Sequence, residues 1–494
     1  MKKNYIYAFG GLVTLIAVFL FPNIIQGQTS ARTQYFQPGY NQRNILNPAL
    51  MPQWGYVSIP VAGRIYAEIG SNLGLSNFLF PLDNGELATF MNPEVSPQQF
   101  LSKMPKKSNL EINLDVSVLS FGWFWGRSFW SVDVGLHAEG GMNIPYEFFN
   151  FAKNEMYANP SEYHIKDLNA NLHAYATMSL GYARKINENW NVGARLKYVG
   201  GLANVNFNVK RMDIFMSADK WKINTDAQMQ LLGRGLEFGK DSSGSINSVK
   251  LNASDLRIAG HGAAIDLGAE FSPNVVQGLR FSLAVTDLGF IYYPKKNIYQ
   301  GEASGKVEFN GFNNIGLDNN FNSQVESLKD DLMDMLSLQE VVANSGICRM
   351  MNANLNAGIE YSFYYNKFSV GLLSTTVFRK TNIKTELTVS LNIHPLEWLS
   401  LSASYSFLNT AKTIGWALNI TPKWGLNLFL ASDYTPLVMS PQGIPISKAH
   451  VNVQVGLSIP IGNNRLNQFP GQASSKSKSK AKSLLKGVNI SAEE

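Results

Sequence analysis

The sequence predicts an all-β fold, a transmembrane up-and-down antiparallel β-barrel of about 14 strands with helical insertions in its loops. Three observations predict it: a period-two alternation recurring down the chain, an export-type N-terminus, and aromatic residues gathered beside short turns. The alternation is plainest from Ala449 to Ile461, where Ala449, Val451, Val453, Val455, Leu457, Ile459 and Ile461 are apolar. His450, Asn452, Gln454, Gly456, Ser458 and Pro460 stand between them. Successive strand side chains point to opposite faces, so this stretch has one apolar and one polar face. In a barrel spanning lipid the apolar face is outside and the polar face lines the lumen.

Lys2 and Lys3, an apolar run from Ile6 to Phe21 and the small residue Gly27 read as a secretory signal peptide over residues 1–27. The run is short for a spanning helix and ends in Pro22-Asn23. The single cysteine, Cys348, excludes a disulfide framework and a cysteine metal cluster, and the reading places it in a loop. No cysteine follows the leader to carry a lipoprotein anchor. The formal charge of +6 does not point to nucleic acid. Lys2 and Lys3 belong to the leader, and Lys476, Lys478, Lys480, Lys482 and Lys486 belong to a Ser/Lys-rich tail over residues 463–494 that reads as disordered.

Long and short connections then alternate, as a barrel with both chain ends on one side requires. Strand one is read from Tyr56 to Ile69 and strand two from Asn109 to Trp123, after an excursion from Ser71 to Ser108. A tight turn at Trp125-Gly126-Arg127 leads to strand three, Phe129 to Glu139. Strands four (Leu172 to Arg184) and five (Trp190 to Phe215) meet at Asn187-Glu188-Asn189. Strand six ends at Phe271, and strand seven spans Leu279 to Tyr293 before the longest loop, Pro294 to Arg349. Later short turns fall at Tyr365-Asn366, His394-Pro395 and Thr421-Pro422-Lys423. The segment Ala218 to Ser254 has room for another hairpin. Trp123, Trp125, Trp130, Tyr182, Trp190, Tyr361, Phe363, Phe368, Trp398 and Trp424 lie near short turns, as an interfacial girdle would.

Helices are expected in the loops. Val325, Leu328, Leu332, Met335 and Leu336 recur at helical spacing within Ser323 to Glu340, behind an S-x-x-E box at Ser323 and Glu326. Ser96-Pro97-Gln98-Gln99 reads as a capped helix start, and Pro145 to Lys153 as a third short helix. The polar faces nominate lumen-facing residues: Glu111, Asp115, Asp133, His137, Glu139, Arg195, Lys197, Asp266, Glu270, Arg280, Glu360 and His450. Mixed charges in a narrow lumen pair with one another, so a structural network is expected in preference to a catalytic set. His137 and His173 are read as facing the same lumen on neighbouring strands. No G-x-S-x-G, H-E-x-x-H or P-loop occurs, and Gly233-Arg234-Gly235 with Gly239 misses dinucleotide spacing. An enzyme is not expected, nor are a cofactor and a metal.

Asn44-Ile45-Leu46-Asn47-Pro48-Ala49-Leu50, before strand one, resembles the N-P-A motif of Bacteroidota outer-membrane barrels. That motif occurs in the long-chain fatty-acid transporter (FadL-like) superfamily and in barrels associated with gliding and type IX secretion. Asp287-Leu288-Gly289 resembles a D-L-G element of the same group. The nearest resemblance is to an uncharacterised Bacteroidota barrel family of unknown function. It implies that residues 28–55 fold back as a periplasmic plug or latch, with Asn47, Pro48 and Ala49 at its base, and that residues 56–462 form the barrel. The resulting expectation is a protein of a Gram-negative outer membrane, in contact with its lipid. It would pass or bind a hydrophobic or amphipathic small molecule. The alternative is a non-transporting barrel that holds protein partners of a surface or secretion machine, and a third reading is an outer-membrane hydrolase.

Overall fold

Side chains alternate across every strand of the wall, and their exposure runs opposite to that of a soluble protein. Outward-facing Leu196 and Leu180 are 62% and 50% exposed, while inward-facing Asp266 and Asp433 are fully buried. The computed structural model describes residues 30–83, 87–90, 92, 94–154, 162–216, 221–240, 244–309, 336, 338–364, 366–378, 383–407, 412–422, 425–435 and 450–462.

The strands, in chain order, begin with β1 (Gly55–Ser58), β2 (Arg64–Ser71), β3 (Leu79–Pro81), β4 (Leu87–Thr89), β5 (Lys107–Trp125), β6 (Ser128–Pro145), β7 (Glu162–Lys185) and β8 (Trp190–Met216). Then come β9 (Trp221–Gly233), β10 (Leu236–Lys240), β11 (Ile246–Leu251), β12 (Gly260–Phe271), β13 (Leu279–Tyr293), β14 (Ile298–Phe309), β15 (Gln339–Val341) and β16 (Ile347–Met350). The last are β17 (Ala353–Phe363), β18 (Phe368–Phe378), β19 (Ile383–Leu396), β20 (Leu399–Phe407), β21 (Lys412–Ile420), β22 (Asn427–Thr435) and β23 (His450–Ile461). β1 with β2, and β16 with β17, each act as one wall strand. The barrel therefore closes with 14 antiparallel strands when β23 pairs with β1 and β2. Short turns all fall at the end where β1 begins and β23 finishes. Gly126, with φ +59, sits first in the two-residue loop between β5 and β6, where a type II′ hairpin needs a left-handed residue.

The first wall strand, expected to be continuous, breaks between Ser58 and Arg64. Pro60 has no N–H to give a ladder, and Val61 adopts φ +64. The register against β23 slips from Ser58↔Ser458 to Ile65↔Val455. Ile59 N and the carbonyl of Ala62 still bond Leu457, at 3.1 and 2.9 Å, so the bulge is held to the wall.

On the long-loop side the strands rise beyond the wall, which the sequence reading did not anticipate. β7 begins at Glu162, ten residues before its expected start, and β6 runs on to Pro145. The upper half of β8 pairs with β9, β9 with β14, and β14 with β15, and β10 and β11 form a separate hairpin. The segment Pro294 to Arg349, expected to be loop, thus contributes β14, β15 and β16, and Cys348 lies exposed on β16. These strands bury alternate residues, such as Ile223, Thr225, Ala227, Met229 and Leu231 on β9, and the pattern shifts by one at the bulge between Val209 and Arg211 on β8.

Two expected loop helices are present, Pro97–Leu101 and Tyr146–Asn154. Ser96 Oγ accepts the Gln99 amide at 3.2 Å, and Gln99 Oε1 accepts the Ser96 amide at 3.0 Å, completing the reciprocal cap. Phe100 and Phe149 pack with Phe78, Phe80 and Phe90 into an aromatic layer over the long-loop end. Most of the helix expected from Ser323 to Glu340 lies outside the described residues, but its last two residues, Gln339 and Glu340, are in β15. Trp125, Trp190, Tyr361, Phe363 and Trp398 are exposed at the short-turn end, and Trp130 stacks obliquely on Tyr182 at 4.7 Å. Trp424 lies outside the described residues.

Candidate functional site: a filled lumen

The barrel's polar inner face needs partners, because a buried amide or hydroxyl without one is costly. Residues 30–54 supply them. This segment folds as two short 3-10 turns, Arg32–Gln34 and Arg43–Ile45, and is buried almost throughout. It carries Gln34, Gln37, Asn41, Gln42, Asn44, Asn47 and Gln53. Side-chain amides both donate and accept, so they match a wall of Ser, Thr and Asn.

The resulting bonds reach around the circumference. Ser30 Oγ donates to Gln454 on β23 at 2.9 Å, and Thr33 Oγ1 meets Ser404 on β20 at 2.7 Å. Gln37 Nε2 donates to Ser402 at 2.8 Å, Asn41 Nδ2 to Ser458 at 3.1 Å and Asn44 Nδ2 to Ser131 on β6 at 3.0 Å. Asn356 on β17 donates to the Leu46 carbonyl at 2.9 Å. Tyr35, Phe36, Leu46 and Leu50 make a small apolar cluster with Leu373.

Asn47, Pro48 and Ala49 form a turn pressed onto two wall strands. Asn47 Oδ1 accepts the Ala49 amide at 2.9 Å, and its Nδ2 donates to Tyr35 Oη at 3.1 Å. Beneath the turn lie Gly193 on β8 and Gly268 on β12, paired directly across the strands. A Cβ on Gly193 would stand 2.3 Å from the Pro48 carbonyl oxygen, and one on Gly268 would stand 2.1 Å from Asn47 Oδ1. Only glycine lets the turn lie this close.

The nominated lumen residues divide into separate networks. Arg195 lies 3.4 Å from Asp133 and 4.0 Å from Asp266, and Lys197 bridges Asp266 at 2.8 Å and Asp287 at 2.6 Å. Asp287, in the D-L-G element, adopts φ +60 at a bulge in β13, and its amide donates to Asp266 at 2.7 Å. Asp115 is clamped between Arg64 at 2.6 Å and the His137 imidazole. Glu139 accepts from Tyr175 Oη at 2.6 Å and Asn352 at 2.8 Å. Arg280 pairs with Glu360 at 2.7 Å, Glu270 accepts from Asn191 at 2.6 Å, and His450 meets Glu68 at 3.0 Å. Glu111 sits half-buried on β5 opposite Gly141.

His137 Nε2 also lies 2.8 Å from Thr177 Oγ1, giving an acid–imidazole–hydroxyl order. Thr177 is buried, and Arg64 occupies the other oxygen of Asp115, so this row holds the wall together without presenting a nucleophile. His173, instead of joining it, packs against the Tyr175 ring at 4.9 Å.

A further centre was not among the nominated residues. Asp433 on β22 accepts the amides of Arg32 and Thr33, both at 2.9 Å, and Thr33 Oγ1 at 2.7 Å. The Arg32 guanidinium meets Glu386 on β19 at 2.5 Å and lies over the Tyr434 ring. Glu386 was readable from the clean alternation Glu386, Thr388, Ser390, Asn392. Asp433 was not, because Phe429 and Ala431 also face inward on β22 and blur the pattern.

No curated protein matches this sequence. Among solved structures it is similar to the Ralstonia pickettii toluene transporter TbuX, at 9% identity, covering 85% of this chain and 94% of that one, with a TM-score of 0.41. It is similar to a Pseudomonas aeruginosa FadL homologue at 9% identity, 88% and 98% coverage and a TM-score of 0.41. The translocator domain of the autotransporter NalP from Neisseria meningitidis matches at 8% identity, 83% and 88% coverage and a TM-score of 0.28. Residues 48–433, from the Asn47-Pro48-Ala49 turn to the Asp433 centre, match a family of unknown function, and the chain belongs to that family, DUF5723.

Proposed function

We propose that this chain is an outer-membrane barrel of a Gram-negative, Bacteroidota-type cell, and that residues 28–55 are a displaceable plug. On this reading the barrel passes or binds a hydrophobic or amphipathic small molecule when the plug moves. The observation that carries it is the contrast between the two faces of the wall. The outer face is apolar and exposed, which suits hydrocarbon and not water. The plug's contacts are mostly hydrogen bonds, each contributing a net ~0.5–1.5 kcal/mol because water can replace it. An interface of that kind is releasable without exposing a large apolar core. The aromatic layer of Phe78, Phe90, Phe100 and Phe149 supplies an apolar lining at the long-loop end.

Deleting Gln28 to Pro52 tests the plug. Conductance in planar bilayers from a folded barrel supports it, and a folded barrel with unchanged, closed behaviour overturns it. The second reading, a sealed barrel that holds partner proteins, is favoured by the buried ion pairs that tie the plug to the wall, such as Arg32–Glu386, and wall strands β8 and β13 to each other, such as Lys197–Asp287. Mass spectrometry of protein drawn from native membrane in mild detergent separates the two. A stoichiometric small amphiphile supports transport, and a stoichiometric protein with no retained small molecule supports the scaffold.

A further inference from the structure

At the short-turn end, the plug and three turns of the wall enclose a cleft. Arg43 of the plug lies in it, with Met51 of the same segment, Glu270 and Arg280 from the wall, and Arg127 and Lys185 from the turns. Arg43 is 3% exposed. Its one hydrogen bond runs from Nη2 to the carbonyl of Tyr35 at 3.1 Å, its Nε has no partner, and it makes no ion pair among the described residues. Of the acids nearby, Glu360 holds Arg280, while Glu270 accepts from Asn191 and offsets part of the Arg43 charge across the cleft without touching it. The other lumenal cations, Arg32, Arg64, Arg195 and Lys197, each rest on a carboxylate. Burial pulls the Arg43 pKa down, yet a guanidinium stays charged at any ordinary pH. A buried guanidinium with no carboxylate in contact is disfavoured unless something completes its hydrogen bonds.

We propose that this cleft is an anion site that takes the carboxylate or phosphate of one small molecule, with Arg43 at its floor and Arg127 and Lys185 at its rim. The planar fork of Arg43 suits both oxyanions. Lys185 is tied to Glu188 at 2.7 Å, so it is a screened contributor, whereas Arg127 is exposed and makes no ion pair among the described residues. Met51, Leu50 and Phe124 give the anion an apolar neighbour, which fits a short organic acid. Because Arg43 belongs to the plug and the rim to the wall, an anion here bridges the two. Its binding therefore favours the docked plug, and plug release weakens its binding by the same factor.

The test uses the full chain purified in neutral detergent at low chloride, titrated with inorganic phosphate and, separately, hexanoate. Calorimetry reads binding, and limited trypsin digestion reads plug protection. Saturable one-site binding of either probe with slower cleavage at Arg32 supports the site. Phosphate alone identifies an inorganic-anion site, and preference for hexanoate identifies one that uses the apolar wall. Arg43→Gln is expected to weaken binding at least about tenfold, the loss of one charge-assisted hydrogen-bonding group. If that variant fails to fold, the double variant Arg127→Ala/Lys185→Ala, both on turns, carries the test and is expected to weaken binding severalfold. No saturable binding of either probe, or unchanged binding in the variants, overturns the proposal.

Discussion

Replacing Asp433 by Ala is the sharpest test of how the plug is held. Its carboxylate is fully buried, and it accepts two plug amides and the Thr33 hydroxyl between 2.7 and 2.9 Å. It also lies 3.8 Å from Arg32 Nε. Removing one partner from a buried charged group costs roughly 3–5 kcal/mol. Arg32 keeps Glu386 at 2.5 Å, which places the loss at the lower end, about 3 kcal/mol. At about 1.4 kcal/mol per factor of ten, the docked-to-undocked ratio should fall by about two orders of magnitude. Trypsin cleavage at Arg32 and Arg43 measures that ratio, and retained heat-modifiable mobility on gels shows that the wall is intact. Asp433→Asn keeps one acceptor and should lose less. An Asp433→Ala barrel that stays folded with cleavage changed less than threefold would refute the claim that this carboxylate anchors the plug.

Gly193→Ala should loosen the plug by about 1–3 kcal/mol, the cost of overpacking, because its Cβ meets the Pro48 carbonyl and not a mobile side-chain tip. Faster trypsin cleavage of the plug, with the wall unaffected, is the expected result. Asn47→Ala removes the Ala49 and Tyr35 bonds and should cost about 1–2 kcal/mol, read in the same digestion. Leu180→Lys, on the outer face, should destabilise the barrel in bilayers by about 2–4 kcal/mol near the midplane. Unfolding in urea from lipid vesicles measures it, and a change within about 0.5 kcal/mol, usual at a water-facing surface, would show that this face does not meet hydrocarbon.

What could be read from the sequence follows from which faces see different solvents. From β17 to β21 and in β23, one face is apolar and exposed and the other polar and buried, so the period-two pattern survives and the turns can be counted. Ile59 to Gly63 reads as plain strand because Val61 and Ala62 keep the apolar character, although Pro60 breaks the ladder and Val61 turns to φ +64. The strands above the wall keep the alternation, as Ile223, Ala227, Met229 and Leu231 of β9 do against Lys222, Asn224, Asp226, Gln228 and Gln230, but alternation does not say that β9 and β14 pair with each other beyond the wall. The nominated acids and bases of β5, β6, β8 and β12 sit on the inner face, but their partners come from residues far away in sequence. Arg32 and Glu386, which join the plug to β19, are 354 positions apart, and one-dimensional spacing carries no sign of such a pair. The amide-rich stretch from Gln34 to Gln53 was a usable signal for a segment that fills a polar lumen.

The same inner face limits what a vacated barrel can be. Ser402, Ser404, Glu386, Asn392 and Asp433 face inward and are buried under the plug. With the plug displaced, these groups would have to be satisfied by water, because leaving a buried carboxylate or amide bare costs more than the bonds it lost. An undocked state would therefore be water-filled. A purely apolar molecule would gain nothing from such a passage. A molecule with a charged or hydrogen-bonding head can travel it. On this argument an amphipathic cargo fits the barrel better than a hydrocarbon, and plug displacement should admit small ions together with it. Conductance and amphiphile passage should then rise in parallel across the Asp433, Gly193 and Asn47 variants. Amphiphile passage that increases without any conductance would mean that the path does not run through the lumen.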